Sequence, residues 1–575
     1  MTDVSGPSTE KSGRNDEEDG ELWALHRGKL GQNVKASAVH RMKIASGNTD
    51  GFGLHIRKII PADELRGEMI LKGVWRIGMD RMELPDGTAP WAETMPSRHF
   101  TDRIHRFDWL PSLFTQGTAG ADRACYLVDN WIHNFGRFDG FSWRVGCTAD
   151  RVWNWMVCGA GLLENGDSEA CATRLDALGR QLRHVSVLAA TQVDPATRWR
   201  AATLDVVQSV CLARGKGLND ALMQLESECT AQFFADGGHV SRSPARALKC
   251  FSDLVCIDDI LTRSDRILPD FLPKWIARIG GMISFLQTGD GALPPFHDSD
   301  ESRPEAVNAA LSYLSTPPRR FSVAPKSGFH KLQKGNTLLL LDAGGGPELP
   351  FGDGAHAGAL GFELHDGPIR IVTSCGFSPE VGIEWQSAVR ATSAHSTLVI
   401  DSADSSTFKT NDETDLLYPE GPEGISAKRL EEADEIWLDA QHGGYKADYG
   451  LLHRRRLFMS GTGSRLTGED SLARPVSAGA AESDAFVPFD LRFHLHPTIT
   501  AIMASDGIIL ESDRGRRWRF KTSHARARLE STIYLGRGLV ERSEQIVLSA
   551  KADPSGDGSA PPNCVRWAFL REKAS

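Results

Sequence analysis

The hydrophobic period of this chain changes once, at "YLSTPPRRFSVAPKSG", residues 313–328. Before that point apolar residues recur at helical spacing. In "SEACATRLDALGRQLRHVSVLAAT" Ala170, Leu175, Leu178, Leu182 and Val185 fall on one helical face. "TRWRAATLDVVQSVCLA", "NDALMQLESECTAQFFA", "SPARALKCFSDLVCIDDIL" and "FLPKWIARIGGMISFLQ" repeat the habit. Ser243-Pro244 reads as a helix start, with serine as cap and proline in the first turn. After the Pro- and Ser-rich stretch the period is two. "GNTLLLLDAG", "GALGFELHDGPIRIVTS", "SAHSTLVIDSA" and "RRWRFKTSHARARLESTIYLG" read as strands joined by Gly, Asp and Ser turns. Successive amphipathic helices make an α-hairpin array, and many strands without intervening helices make an antiparallel sandwich. The expected order is an α-helical domain over 21–320 and a β-sandwich over 328–575. A length of 575 residues fits two cores better than one.

Charge and cysteine usage narrow the class. The net charge is −10, with 41% hydrophobic and 24% charged residues, as in a soluble globular protein. "MTDVSGPSTEKSGRNDEEDG", residues 1–20, has no apolar run and reads as a disordered acidic tail. No signal-peptide core and no apolar stretch of about 18 residues is present. The expected location is therefore the cytoplasm, or the periplasm or cell envelope if the start is misassigned. Ten cysteines with no CxxC pair read as reduced core residues, Cys375 being kept open. "HRRRLF" (453–458) and "RGRRWRF" (514–520) alternate with apolar residues, as the solvated face of a sheet does. They come with no nucleic-acid motif on an acidic chain, so nucleic acid is not an expected partner.

The candidate chemistry sits in "FGDGAHAGALGFELHDGPIRIVTS", which reads as a hairpin bending at Asp366-Gly367 with His356 at its mouth. Gly352, Gly354 and Gly358 surround that histidine, where backbone bends sharply or something approaches closely. His356 with Phe362 in "HAGALGFEL", "ATSAHSTLVID" at 391–401, "GFHKLQKGNTLLLLDAG" at 328–344 and "RFHLHPTI" at 492–499 resemble the heparinase II/III family of polysaccharide lyases. "DGGHVSRSP" at 236–244 and "GDGAL" at 289–293 are similar to family segments in the helical half.

The resemblance implies a multidomain α and β fold: an N-terminal (α/α) toroid followed by a C-terminal antiparallel β-sandwich, with an acidic polysaccharide held between them. It implies β-elimination at a uronate. A base removes the proton α to the carboxylate, the 4-linked oxygen leaves, and a 4,5-unsaturated uronate remains. Such chemistry needs donors that neutralise the carboxylate as charge develops, and a base and an acid near neutral pH. His239 and His356 are the acid/base candidates. Arg242, Arg390, Asn154 and Tyr445 are the candidate substrate contacts, Asn154 lying among Trp143, Trp153 and Trp155. The same resemblance offers a structural zinc on His356, Cys375 (or Ser374) and His395, although structural sites normally take four ligands. No cofactor is required by the elimination itself, and a homodimer is allowed.

The sequence departs from the family at two places. The Gly-rich helical-half loop carries His239 where characterised lyases have a tyrosine, and the hairpin reads H-A-G-A-L-G-F, without the family's aspartate. Either the acid/base set is rebuilt on histidine or lyase activity is lost. Two rivals follow. One is a non-catalytic glycan-binding or assembly protein. The other is a glycoside hydrolase using Asp236 and Asp290 as paired carboxylates.

Overall fold

The computed structural model describes residues 51–572 apart from 86, 214, 411–416, 476–484 and 524–525, together with 40, 42, 44, 45 and 49. The acidic tail expected at 1–20 lies outside the described residues.

Long helices fill the first half: α1 (Gly117–Phe135), α2 (Val145–Val157), α3 (Ser168–Leu188), α4 (Pro195–Cys211), α5 (Leu218–Gln232), α6 (Pro244–Arg263) and α7 (Phe271–Leu286). The starts of α3, α4 and α6 are written locally. Asp167 and Asp194 each accept two backbone N–H groups of the first turn, and Ser243 accepts from Arg246 N with Pro244 following it. On α3, Leu178, Leu182 and Val185 are buried as the spacing predicts. Arg174, Gln181 and His184 are buried beside them, which apolar spacing does not report. Arg174 is held there by bidentate bonds to Asp129, both 2.6 Å.

The sandwich strands are β1 (Val323–Ala324), β2 (Phe329–Lys334), β3 (Thr337–Asp342), β4 (Phe362–Asp366), β5 (Ile369–Thr373), β6 (Leu398–Ile400), β7 (Ser426–Glu432), β8 (Glu435–His442) and β9 (Leu452–Met459). Then come β10 (Arg465–Ala473), β11 (Val487–Leu495), β12 (Ile499–Ala504), β13 (Gly507–Ser512), β14 (Arg517–Thr522), β15 (Arg526–Tyr534), β16 (Glu541–Ala552) and β17 (Cys564–Arg571). One sheet runs β15-β16-β11-β5-β4-β3-β2-β1 with β6 on β11, and the other runs β7-β8-β9-β10-β17-β14-β13-β12. Every pairing in both is antiparallel.

Strand β3 explains how the halves join. "TLLLLD" is buried at every position. Leu339 and Leu341 enter the core between the sheets, whereas Leu338 and Leu340 join the core built by the helices. A strand covered on both faces needs an unbroken apolar run rather than alternation. Strands β4 and β5 are equally buried, but their helix-facing side is polar. Arg370 there binds Asp290 Oδ2 at 2.8 Å and the Leu293 carbonyl at 3.0 Å, both from the segment after α7.

A second tie is Asp342 at the end of β3. Its carboxylate takes a close ion pair from Arg242 of the loop before α6 and lies 3.2 Å from His297 Nε2. Asp236 adds a third by accepting the backbone N–H groups of Lys326 and Ser327, each at 2.9 Å.

Removing one partner of a buried pair leaves an uncompensated charge. Asp342→Ala is expected to lower unfolding free energy by about 3–5 kcal/mol, whereas Arg242→Met with Asp342→Leu costs much less. Guanidinium midpoints of both variants check this.

Candidate functional site

The loop between α5 and α6 is shaped by Gly237, whose φ of +88° only glycine adopts cheaply and whose Cβ would lie 2.1 Å from the Arg278 carbonyl oxygen. The turn presses His239 into the interior. Its Nδ1 accepts from Ser241 N at 3.1 Å, so Nε2 carries the proton and donates to Gln232 Oε1 at 3.2 Å. Both ring nitrogens are thus engaged, Phe233 and Phe351 pack edge-on against the ring, and burial pushes its pKa down to about 3. His239 organises its own turn, with both ring nitrogens spent on groups of the same loop and helix end.

Arg242 is likewise structural. Besides Asp342 it donates to the Ser327 carbonyl at 2.9 Å and the Gly345 carbonyl at 3.1 Å, and its guanidinium covers Phe329. All its reach is used across the junction. Arg390 donates to the Ala355 carbonyl at 2.8 Å and the Leu417 carbonyl at 2.7 Å, so it fastens the hairpin approach instead of waiting for a carboxylate. Tyr445 is 1% exposed, donates its hydroxyl to the Leu398 carbonyl at 2.8 Å, and has its pKa raised by burial. It is a core tyrosine, not a cleft contact.

His356 and His395 do come together, with ring centroids 5.3 Å apart. His297 completes the group, 6.2 Å from His356, its Nδ1 accepting the His356 backbone N–H at 3.2 Å. The glycines make this close packing feasible. A Cβ on Gly358 would stand 2.8 Å from His395 Nδ1, and one on Gly354 would stand 2.4 Å from Asp298 Oδ2. Asp298 is in turn ion-paired with Arg246. The three rings, Asp342, Glu363 and Ser374 enclose a cavity of about 10 Å³. Neither His356 ring nitrogen has a hydrogen-bond partner among the described residues. Burial, then the neighbouring His395 and His297, hold its pKa well below the ordinary histidine value, and burial brings His395 to about 3.

Cys375 is not part of this group. Its side chain points the other way, with Sγ 3.5 Å from His494 Nδ1 and 3.6 Å from Thr532 Oγ1, and burial raises its pKa to about 11. Ser374 lines the histidine cavity in its place. Among the described residues no three His, Cys, Asp or Glu side chains converge so as to hold a metal ion. The donor set expected for zinc, His356, Cys375 and His395, therefore does not fit one.

Asn154 lies elsewhere, in a cavity of about 400 Å³ among the helices, with Trp153, Arg106, Arg200 and Lys249. Its amide donates to the carbonyls of Arg106 at 3.1 Å and Asp150 at 3.0 Å. Trp153 carries the Arg200 guanidinium 4.2 Å from its ring centre. Trp143 and Trp155 are buried core. The two hydrolase candidates are both committed: Asp236 to the junction backbone, Asp290 to Arg370 and Thr288. Nothing local in the sequence marks His297 or Asp342. A histidine in "PPFHDSD" and an aspartate ending a leucine run carry no spacing signal, and they meet only through the junction.

Comparison with known proteins places this geometry. The family description "Heparinase II/III-like, C-terminal" matches residues 316–568. The FtsZ-localized protein C of Caulobacter vibrioides is 32% identical over 567 residues, covering 96% of each chain. A crystal structure of heparinase III superposes with a TM-score of 0.68 at 14% identity, over 95% of this chain and 92% of that one. A heparan sulfate lyase HepC mutant from Pedobacter heparinus gives a TM-score of 0.55 at 14% identity, over 95% and 91%. The fold is thus the helical toroid plus β-sandwich that the sequence resemblance implied.

A histidine kept neutral in the folded state binds fewer protons there than when unfolded, so stability falls as pH drops below the unfolded value of about 6.5. Each such residue adds up to about 1.4 kcal/mol per pH unit to that slope. His356→Leu is expected to remove about one proton's share, and urea midpoints at about pH 7 and about pH 5 read it as a shallower difference than in the parent protein.

Proposed function

The chain belongs to the heparinase II/III family, and on that footing we propose that it is a non-catalytic assembly protein on a polysaccharide-lyase scaffold, working with FtsZ. One observation carries the first part: both acid/base candidates are walled off. His239 has its ring nitrogens occupied, and the space beside His356 is about 10 Å³, roughly the room of one water molecule and far short of a sugar ring. General acid–base catalysis needs the group within hydrogen-bond reach of the substrate. It also needs a pKa near the working pH, and burial sets both histidines far below it. The second part is supported by the relative that aligns end to end with this chain and whose name places it with FtsZ. The proposed location is that of FtsZ itself.

A second reading keeps a lyase, and the helical cavity favours it. Arg106, Arg200 and Lys249 stand around Asn154 and Trp153 there. A uronate carboxylate in this cavity would have to compete for these cations with Asp150 and Asp253 of the same lining, which already pair with them, and Arg200 already covers one face of Trp153. No described tyrosine or histidine lines that cavity to serve as base.

Two assays separate the readings. The ultraviolet absorbance of unsaturated uronate stays flat across heparin, heparan sulfate, hyaluronan, chondroitin and alginate if the scaffold is non-catalytic, and the protein sediments with GTP-assembled FtsZ. An absorbance rise that disappears in Asn154→Ala would overturn the assembly reading and restore the lyase.

A further inference from the structure

The second sheet turns one face to the core and the other to solvent, and the solvent face is unusual. Leu430 of β7 pairs with Trp437 of β8, Trp437 with Phe458 of β9, Phe458 with Thr467 of β10, Thr467 with Ala568 of β17, and Ala568 with Lys521 of β14. These residues form one straight cross-strand row on the outer face, because side chains directly opposite in an antiparallel ladder point the same way. The row begins with three large apolar side chains. Leu430 is 53% and Trp437 49% exposed, while Phe458 beneath them is 8% exposed. The Trp437 and Phe458 rings touch, with centroids 4.4 Å apart. The outer face of a two-sheet sandwich is ordinarily polar, so a continuous apolar row there marks a contact surface.

The rim is cationic. Arg456, Arg566 and Lys521 line the same hollow, which has a volume of about 740 Å³. Arg465 lies over the Phe458 ring, 5.1 Å from its centre. Among the described residues Glu469 is the one carboxylate lining the hollow; it is shared between Arg456 at 3.2 Å and Arg566 at 2.8 Å, so it neutralises one of them at most, while Lys521 reaches Asp506 at 3.3 Å beside the hollow. A net positive rim around an apolar floor is a local reversal on a chain of net charge −10.

We propose that this face docks an acidic peptide segment of a partner protein, with an aromatic or aliphatic side chain on Trp437 and Phe458 and carboxylates on Arg456, Arg566 and Lys521. Charge complementarity selects that occupant. A second copy meeting the same patch around a two-fold axis would set cations against cations. A glycan would meet an apolar floor with few hydroxyl partners. The row lies in a hollow of a sheet face rather than on a projecting loop, so it does not reach into a bilayer. The inference goes beyond the assembly reading and stands on strand register and charge alone.

The test uses the full chain and a fluorescein-labelled peptide in which Leu and Phe are interspersed with Asp and Glu, followed by fluorescence anisotropy. A matched peptide with Lys in place of the acids is the control. The acidic peptide is expected to bind and the lysine peptide not to bind. Trp437→Ala is expected to weaken binding about tenfold or more, as truncating a central aromatic anchor does. The double variant Arg456→Glu with Arg566→Glu is expected to reverse the preference toward lysine. All these positions are solvent-facing, and unchanged urea midpoints confirm that the variants are folded. Equal binding by parent and variants, or no binding of the acidic peptide, overturns the proposal. So does a Trp437-dependent interaction found instead with heparin, with phosphatidylglycerol vesicles, or with a second copy in sedimentation. Peptide binding without cosedimentation with FtsZ would support this surface while overturning the FtsZ partnership.

Discussion

The Asp342 carboxylate is the point on which the two halves of this molecule depend. Burial alone would raise its pKa, yet the Arg242 guanidinium and His297 hold it well below the usual carboxylate range. Each of those partners comes from the helical half and Asp342 from the sandwich, so the pair fixes where the helices sit on the sheet. Arg242 accepts a φ of +62° to reach it, a conformation non-glycine residues seldom take. That strain is tolerated because the guanidinium also satisfies two carbonyls across the junction.

From that tie the burial of the histidines follows. His297 is held by Asp342, His356 by His297 through its backbone N–H, and His395 closes against the glycine at 358. The same packing that makes the junction firm leaves about 10 Å³ beside His356 at the hairpin mouth. In this chain the place where the lyase resemblance puts its hairpin histidine has become part of the junction's interior. The open surfaces are elsewhere: the cavity of paired charges among the helices and the apolar row on the outer sheet.

The sheet facing the helices shows why residue type and role separate here. Strands β3, β4 and β5 are covered on both sides. On β3 this reads as a leucine run, which is legible. On β4 and β5 the helix-facing positions carry Glu363, His365 and Arg370, which read like a solvated face. They are buried because Asp290, Thr288 and the Leu293 carbonyl come down on Arg370, and Thr373 donates to Glu363. A polar residue at an alternating position is ambiguous until its partner from the other half is known.

The sequence by itself determined the order of helical and strand halves, the Ser243-Pro244 start of α6, the hairpin at Asp366-Gly367, and the family motifs around His356 and His395. These are local: spacing, capping and turn chemistry act over a few residues, and a motif is a contiguous string. Tertiary structure alone decided which polar side chains meet. It turned His239 inward, spent Arg242 and Arg390 on carbonyls, aimed Cys375 away from the histidines, and placed Asn154 in a separate cavity. Those outcomes depend on partners distant in sequence, such as Arg242 with Asp342 and Arg390 with Ala355, and the energy of a buried polar group is set by that partner rather than by its own residue type.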